Sequence, residues 1–263
     1  MRFADTVTLI TGAGTGIGAA TARRLVEEGG KVVLTGRREA PLREVADPLG
    51  ESALVLPADA VDSAAMKAVV AATLEKFGRL DGVVANAGGH GLGTALETDD
   101  AGWKLALDVN LTSAFVTIRE ALPALRVRGG SVVLVSSLAG LFAGPGVAGY
   151  TSTKHALIGL TRSIARDYGR DGVRANAVCP GWVRTPMADE QMAAFGAGKG
   201  LDREQAYKVV TENCPLGRPA EPEEIASVIA FLASKDAAIV SGAVVTADAG
   251  ASSVDLPTIA FVD

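Results

Sequence analysis

Short β-branched runs alternate with longer amphipathic segments along nearly the whole chain. The strand-like runs are Val7–Ile10, Lys31–Thr35, Ala53–Leu56, Gly82–Ala85, Ser131–Ser136, Val173–Val178 and Ala243–Thr246. Between them, apolar residues recur at helical spacing in Gly16–Glu28, Pro41–Ala46, Ser63–Phe77, Asp99–Leu125, Tyr150–Tyr168 and Pro222–Ala233. Pro222, followed by Glu223 and Glu224, is a good helix start, with proline in the first turn and acids on the dipole. This alternation predicts right-handed crossovers and an α/β, doubly wound parallel sheet of seven strands with helices on both faces. No repeat or linker divides the chain, so residues 1–263 are expected to form a single domain. One segment breaks the pattern. Residues 185–214 are rich in Met, Ala, Gly and charge, with no strand among them. A long segment leaving the carboxyl end of a strand is either a substrate lid or a plain surface excursion.

Composition narrows the chemistry. The net charge is −5, and no basic run exceeds the pairs Arg23-Arg24 and Arg37-Arg38, so a nucleic-acid surface is not expected. Two cysteines, Cys179 and Cys214, give no disulfide framework. Two histidines without ligand spacing, His90 and His155, give no support for a metal site. There is no signal-peptide pattern and no apolar stretch of the roughly 18–20 residues that a membrane span needs, so the expectation is a cytoplasmic protein.

The first strand runs into Gly12, Gly14, Gly16 and Gly18 at alternate positions, with Thr15 and Ile17 between them, and a helix follows. Such a strand–turn–helix lets a diphosphate reach backbone N–H groups and the positive end of a helix dipole. The alternative is glycine used only for close strand–helix packing. After the second strand come Gly36, Arg37 and Arg38, with no carboxylate before Glu39. Arginine there suits a ribose 2′-phosphate, where an acid would suit a 2′-hydroxyl, so NADP is expected, with NAD as the alternative. Asp59-Ala60 follows the third strand, and Asp59 either accepts from an adenine amino group or caps a helix. Asn86-Ala87-Gly88 closes the fourth, where small residues admit a ribose and Asn86 is a candidate tie between strand ends.

Tyr150 and Lys154 stand one helical turn apart and share a face. An ammonium beside a phenol favours tyrosinate, and bringing the phenol from about 10 to neutrality is a shift worth roughly 4 kcal/mol. Such a tyrosine gives a proton to a carbonyl being reduced, or takes one from an alcohol being oxidised. Ser136-Ser137 ends the fifth strand, and a hydroxyl there can hold the substrate oxygen, although a serine pair after a strand is also a common turn.

In order and spacing, the Thr11–Gly18 loop, Asn86-Ala87-Gly88, Asn110, Ser137, Tyr150-x-x-x-Lys154 and Pro180-Gly181 resemble the compact short-chain dehydrogenase/reductases, from about Val7 to Gly250. The resemblance implies a Rossmann-type fold and a catalytic tetrad. Tyr150 would be the acid/base and Ser137 would orient the carbonyl. Lys154 would hold the nicotinamide ribose and depress the tyrosine pKa, and Asn110 would bind a relay water. It also implies cofactor contacts from Tyr150, Lys154, Val109, Pro180 and Gly181, with Val183 and Thr185 at the nicotinamide carboxamide. An asparagine inside Asp99–Leu125 suits a local helix distortion.

The chain departs from the family at Ala247-Asp248-Ala249-Gly250, where Asp-Gly-Gly is usual. It departs again in a tail, residues 251–263, whose apolar end through Val262 is expected to pack on a neighbouring subunit.

Residues expected near the reacting carbon are His90, Leu138, Leu141 and Phe142, with Pro145, Val147, Trp182 and Met187 opposite. This largely apolar lining predicts a small-molecule substrate, a neutral ketone or secondary alcohol. His90 either bonds a polar substituent or stays in solvent. A 3-oxoacyl-(acyl carrier protein) reductase shares every motif. A non-catalytic dinucleotide sensor or scaffold would lack a tetrad member, and none is missing. Relatives of this kind assemble as dimers or tetramers, so a homo-oligomer is expected. The Ala156, Leu157, Leu160, Ser163 and Ile164 face suits either such an interface or the subunit interior.

Overall fold

The computed structural model describes residues 1–261; Val262, the last apolar residue of the tail expectation, lies outside them. The strands are β1 (Val7–Thr11), β2 (Lys31–Thr35), β3 (Ala53–Val55), β4 (Gly82–Ala85), β5 (Gly130–Val135), β6 (Val173–Pro180) and β7 (Val244–Ala247). They form one seven-stranded sheet in the order β3-β2-β1-β4-β5-β6-β7, parallel throughout. The chain reverses its winding between β1 and β4, which leaves a crevice at their carboxyl ends.

Alternation along the strands divides the core in two. Val7, Leu9, Val33, Val83, Val132 and Leu134 face one layer: helices α3 (Ser63–Phe77), α5 (Ser113–Leu125) and α6 (Ala148–Tyr168). Ile10, Val32, Leu34, Val84, Val133 and Val135 face the other: α1 (Gly16–Glu27), α2 (Glu39–Ala46) and α9 (Pro222–Ala233). Both faces are covered, which is why the strands read as continuous apolar runs.

Three elements refine the sequence expectation. The helix expected over Asp99–Leu125 is α4 (Asp100–Leu107) and α5 separated by a π-turn at Asp108–Thr112, where Ser113 N–H donates to the Asp108 carbonyl five residues back. Asn110 lies in that turn, and its Nδ2 donates to the Ala106 carbonyl at 3.0 Å. A side-chain amide competing for the i−4 carbonyl accounts for the widened turn. Residues 185–214 hold no strand, as expected, but fold into α7 (Pro186–Ala197) and α8 (Arg203–Val210). These pack around a small core of their own, Ala188, Met192, Ala206 and Tyr207. Finally, of the α6 face, Leu157 and Ile164 are buried in the subunit core with Leu160 packed against it, while Ser163 stays exposed. The exposed apolar residues in this part are instead Trp103, Leu105 and Phe115.

Candidate active site

At the crevice, the glycines divide their work. Gly12 has φ +63°, and a methyl on Gly18 would run into the Gly12 carbonyl and come within 2.7 Å of Asn86 Nδ2. These two serve close packing. Gly14 and Gly16 (φ +53°) face other elements: a methyl would lie 2.9 Å from Pro41 Cβ on α2, or 2.9 Å from Thr185 Cγ2 at the start of α7. Thr15 is the N-cap of α1, yet its hydroxyl makes no capping bond and no acid occupies the first turn. The leading N–H groups of α1, from Gly16 through Ile17 to Gly18, are therefore left for an anion.

Asn86 ties the strand ends together. Its Nδ2 donates to the Thr11 and Gly12 carbonyls at 3.0 and 3.1 Å, while Thr11 Oγ1 accepts from the Asn86 and Ala87 N–H groups. Arg37 and Arg38 are exposed, and among the described residues neither has a carboxylate partner. The one nearby acid, Glu39, is held by Arg43. Asp59 is exposed and accepts only from Val61 N–H, with Ala60 buried beside it. The α3 cap is Asp62, not Asp59. On the far side, Gly181 N–H donates to the Ala247 carbonyl at 3.2 Å, just past Pro180. Val183 is buried and bridges Ala220, and Thr185 Oγ1 caps α7.

The reaction centre is built where β5 meets α6. Tyr150 is the third residue of α6, and its hydroxyl faces the Ser137 side chain, whose Oγ accepts from Ala139 N–H at 3.1 Å. Lys154 is only 3% exposed. Its Nζ donates to the Val135 carbonyl at 2.9 Å and lies 5.5 Å from the Tyr150 ring centre. Asn110 Oδ1 accepts from Gly89 N–H at 2.8 Å. A methyl on Gly88 would be 3.1 Å from Lys154 Nζ and 3.2 Å from Asn110 Oδ1, so both face the same small space. Val109, beside Asn110, is half-buried, and its carbonyl accepts from Ser113 Oγ.

Burial dominates the electrostatics. It raises the Tyr150 hydroxyl above its ordinary value, and the Ser137 side chain offsets part of that rise. The same loss of water pulls Lys154 down to about 8.

Two glycines that sequence reasoning passed over hold this centre. Gly91 (φ +103°) accepts from Tyr150 N–H at 3.1 Å, and a methyl there would lie 2.5 Å from the Tyr150 nitrogen. Gly93 accepts from Ala148 N–H and donates to Gly146. Since α6 has no side-chain cap, these carbonyls take the orphan donors of its first turn. The only signal was the spacing Gly89-His90-Gly91-Leu92-Gly93.

The substrate side is open. Phe142, Met187 and Trp182 are 54%, 47% and 38% exposed, and Leu138 is half-buried beside Ser137. Met187 Cε overhangs Gly89, where a methyl would approach it to 3.2 Å. His90, with φ +52°, is exposed.

A doubly wound sheet with an anion-ready glycine loop and a Ser–Tyr–Lys cluster at one edge defines a dinucleotide-dependent oxidoreductase. Residues 12–252 match the family described as Enoyl-(Acyl carrier protein) reductase. The chain is 49% identical to Protein MoaE of Klebsiella aerogenes over 97% of this chain and 98% of that protein. It is 39% identical to meso-2,3-butanediol dehydrogenase of Serratia marcescens, covering 97% of this chain and 98% of the relative. Among solved structures it is similar to levodione reductase (TM-score 0.90, 36% identity, 96% of this chain, all of the other). It is also similar to a single-residue variant of actinorhodin polyketide ketoreductase with NADPH (TM-score 0.89, 33% identity, covering 95% and 98%). The chain belongs to the short-chain dehydrogenase/reductase family, and it is an enzyme acting on CH–OH/C=O groups. Among the described residues, no helix is long and apolar enough to cross a membrane.

Proposed function

We propose that this enzyme interconverts a neutral, largely apolar ketone and its secondary alcohol, with NADP(H) preferred over NAD(H). The observation that carries the reading is the convergence of Ser137, Tyr150 and Lys154 at the mouth of the crevice. The uncapped N-terminus of α1 fits a diphosphate, and the unpaired Arg37 and Arg38 fit a 2′-phosphate better than a bare hydroxyl. A bound nicotinamide supplies or accepts the hydride.

The chain's own groups do the rest. Ser137 holds the substrate oxygen within reach of Tyr150. Tyr150, kept protonated at neutral pH by burial, delivers its proton to that oxygen during reduction and recovers it during oxidation. Lys154, with one N–H on Val135 and others free, holds the nicotinamide ribose and favours the phenolate when it forms. Asn110 and Lys154 face one space around Gly88, which supports a proton path from Tyr150 outward.

Exposed Phe142, Trp182 and Met187 suit an apolar ring or chain, and no arginine stands among them to clamp a carboxylate. The tail and the exposed Trp103–Phe115 region suit assembly into an oligomer. A second reading, reduction of a β-ketoacyl thioester, is favoured by the NADPH-bound ketoreductase neighbour. Against it stand the net charge of −5 and the pairing of Arg203 of α8 with Asp189.

The test is the initial rate on cyclic and acyclic ketones, their alcohols and an acetoacetyl thioester, with NADP(H) and NAD(H) in parallel. The expected result is highest turnover on a neutral ketone or alcohol with NADP(H). Replacing Arg37 and Arg38 by Asp and Ile should then lower NADP(H) efficiency by about tenfold or more, the loss of a charge-assisted phosphate contact. An NAD(H) preference in the wild type would sink the arginine argument, and turnover confined to the thioester would select the second reading. Cofactor binding without turnover on any substrate would favour a sensor.

A further inference from the structure

We propose that Ser136, the neighbour of the expected catalytic serine, is a positioning residue that sets where Lys154 stands against Tyr150. The inference rests on the roles proposed above for Tyr150 and Lys154.

Three consecutive residues at the end of β5 each address α6 through a different atom. The Val135 carbonyl accepts from Lys154 Nζ at 2.9 Å. Ser136 Oγ donates to the Lys154 carbonyl at 2.8 Å. Ser137 faces the Tyr150 hydroxyl. Lys154 is thus gripped at both ends, its ammonium by one residue and its main chain by the next. The lysine side chain has four rotatable bonds, so fixing only its tip would leave its root free to slide. Ser136 supplies the second point.

The surroundings are arranged for this contact. Ser136 is buried and so is Lys154. Gly140 lies against the pair, and a methyl on it would run into Ser136 Oγ and come within 2.8 Å of the Lys154 carbonyl. The Cys179 thiol, buried at the end of β6, faces Ser136 and the Ser137 main chain. The titratable groups facing Lys154 are few: Tyr150 on its own helix, Cys179 on β6 and, behind the thiol, Asp248 at the end of β7. Asn110 and Gly88 complete the shell without charge. With so few charges present, a small displacement of the ammonium alters the field at Tyr150 directly.

The test compares Ser136→Ala with Thr161→Val, a control that deletes another buried hydroxyl-to-carbonyl bond on α6, from Thr161 to Leu157. Tyr150→Phe is the reference. The substrate is the best-turned-over alcohol of the panel above, and NADPH fluorescence reports cofactor binding independently of turnover. The expected result for Ser136→Ala is kcat lower by about tenfold with KM within about twofold, the pattern of an interaction used in the transition state. The alkaline midpoint of the rate should rise by about half a pH unit or more as the ammonium draws back from the phenol. NADPH binding should change by less than about twofold, because Ser136 touches no expected cofactor contact apart from Lys154.

Thr161→Val should lower the melting temperature without moving the midpoint. Ser136→Cys, which keeps a weak donor, should recover part of the rate. Should Ser136→Ala fail to fold, Gly140→Ala presses on the same contact and should move the midpoint in the same direction. A Ser136→Ala enzyme with the wild-type midpoint and kcat overturns the inference, and so does an equal shift in Thr161→Val. Wild-type turnover in Tyr150→Phe would remove the reading beneath it.

Discussion

The candidate reaction centre and the substrate-facing rim adjoin in space, Met187 overhanging Gly89, but are built on opposite plans. At the centre, Ser136, Lys154 and Asn110 are buried, and nearly every polar atom is committed to a backbone partner on another element. On the rim, Phe142, Trp182 and Met187 are exposed, and α7 and α8 are held by a core of their own. Around that core, Arg184 pairs bidentately with Glu204 at 2.7 Å, and the core residue Tyr207 donates to Asp189 at 2.9 Å. The first arrangement suits the proton transfer proposed above, which needs fixed atoms. The second lets the substrate wall vary without disturbing them.

The comparison predicts losses of rate at the centre and losses of affinity at the rim. Lys154→Met should have the largest effect, lowering kcat by about a thousandfold if the ammonium is what supports the phenolate. It should also be more stable than the wild type near neutral pH. Lys154 sits at about 8 in the fold against 10.5 when free, so the folded protein binds fewer protons than the unfolded chain between those values. The wild type therefore gains stability from this group as pH rises through that window, and its deficit against Lys154→Met should narrow between pH 7 and 10 in denaturant titrations. A constant gap would contradict this.

Gly91→Ala comes next. It places a methyl 2.5 Å from the Tyr150 nitrogen at a backbone φ of +103°. Displacing the start of α6 by a fraction of an ångström should cost about a hundredfold in kcat, read against an unchanged NADPH affinity. Wild-type rates in this variant would mean that the loop does not position Tyr150. The smallest effect belongs to the rim. Met187→Ala should raise KM by about tenfold or less and leave kcat within about threefold, the worth of a partly buried apolar side chain. A collapse of kcat there would erase the distinction between the two regions.

The doubly wound parallel sheet and the residues of the centre were legible for a physical reason. Strand alternation, the Gly12–Gly18 spacing and the Tyr150–Lys154 turn are local patterns, and local patterns survive in one dimension. Asn110 was readable too, since a mid-helix asparagine signals distortion, and the π-turn lies there. Gly91 and Gly140 were not, because each is required by a neighbour 59 or 14 residues further along, Tyr150 and Lys154 respectively. The α6 face stayed open between two uses for a similar reason: Leu157 and Ile164 satisfy the interior and an interface equally well until the layers are assembled. At Ala249 the departure from Asp-Gly-Gly has a visible consequence, an alanine held at φ +57° in the turn that receives Leu216 N–H.

The central claim is that Tyr150 moves the proton while other groups hold the cofactor. The most direct measurement is a single turnover of NADPH oxidation by a ketone substrate, wild type against Tyr150→Phe, with NADPH binding followed by fluorescence in the same samples. The account predicts binding within about twofold of wild type and a rate at least about a thousandfold lower, the general-acid contribution compounded by the lost contact with Ser137. A Tyr150→Phe enzyme that binds NADPH and still reduces the ketone at a wild-type rate would contradict it.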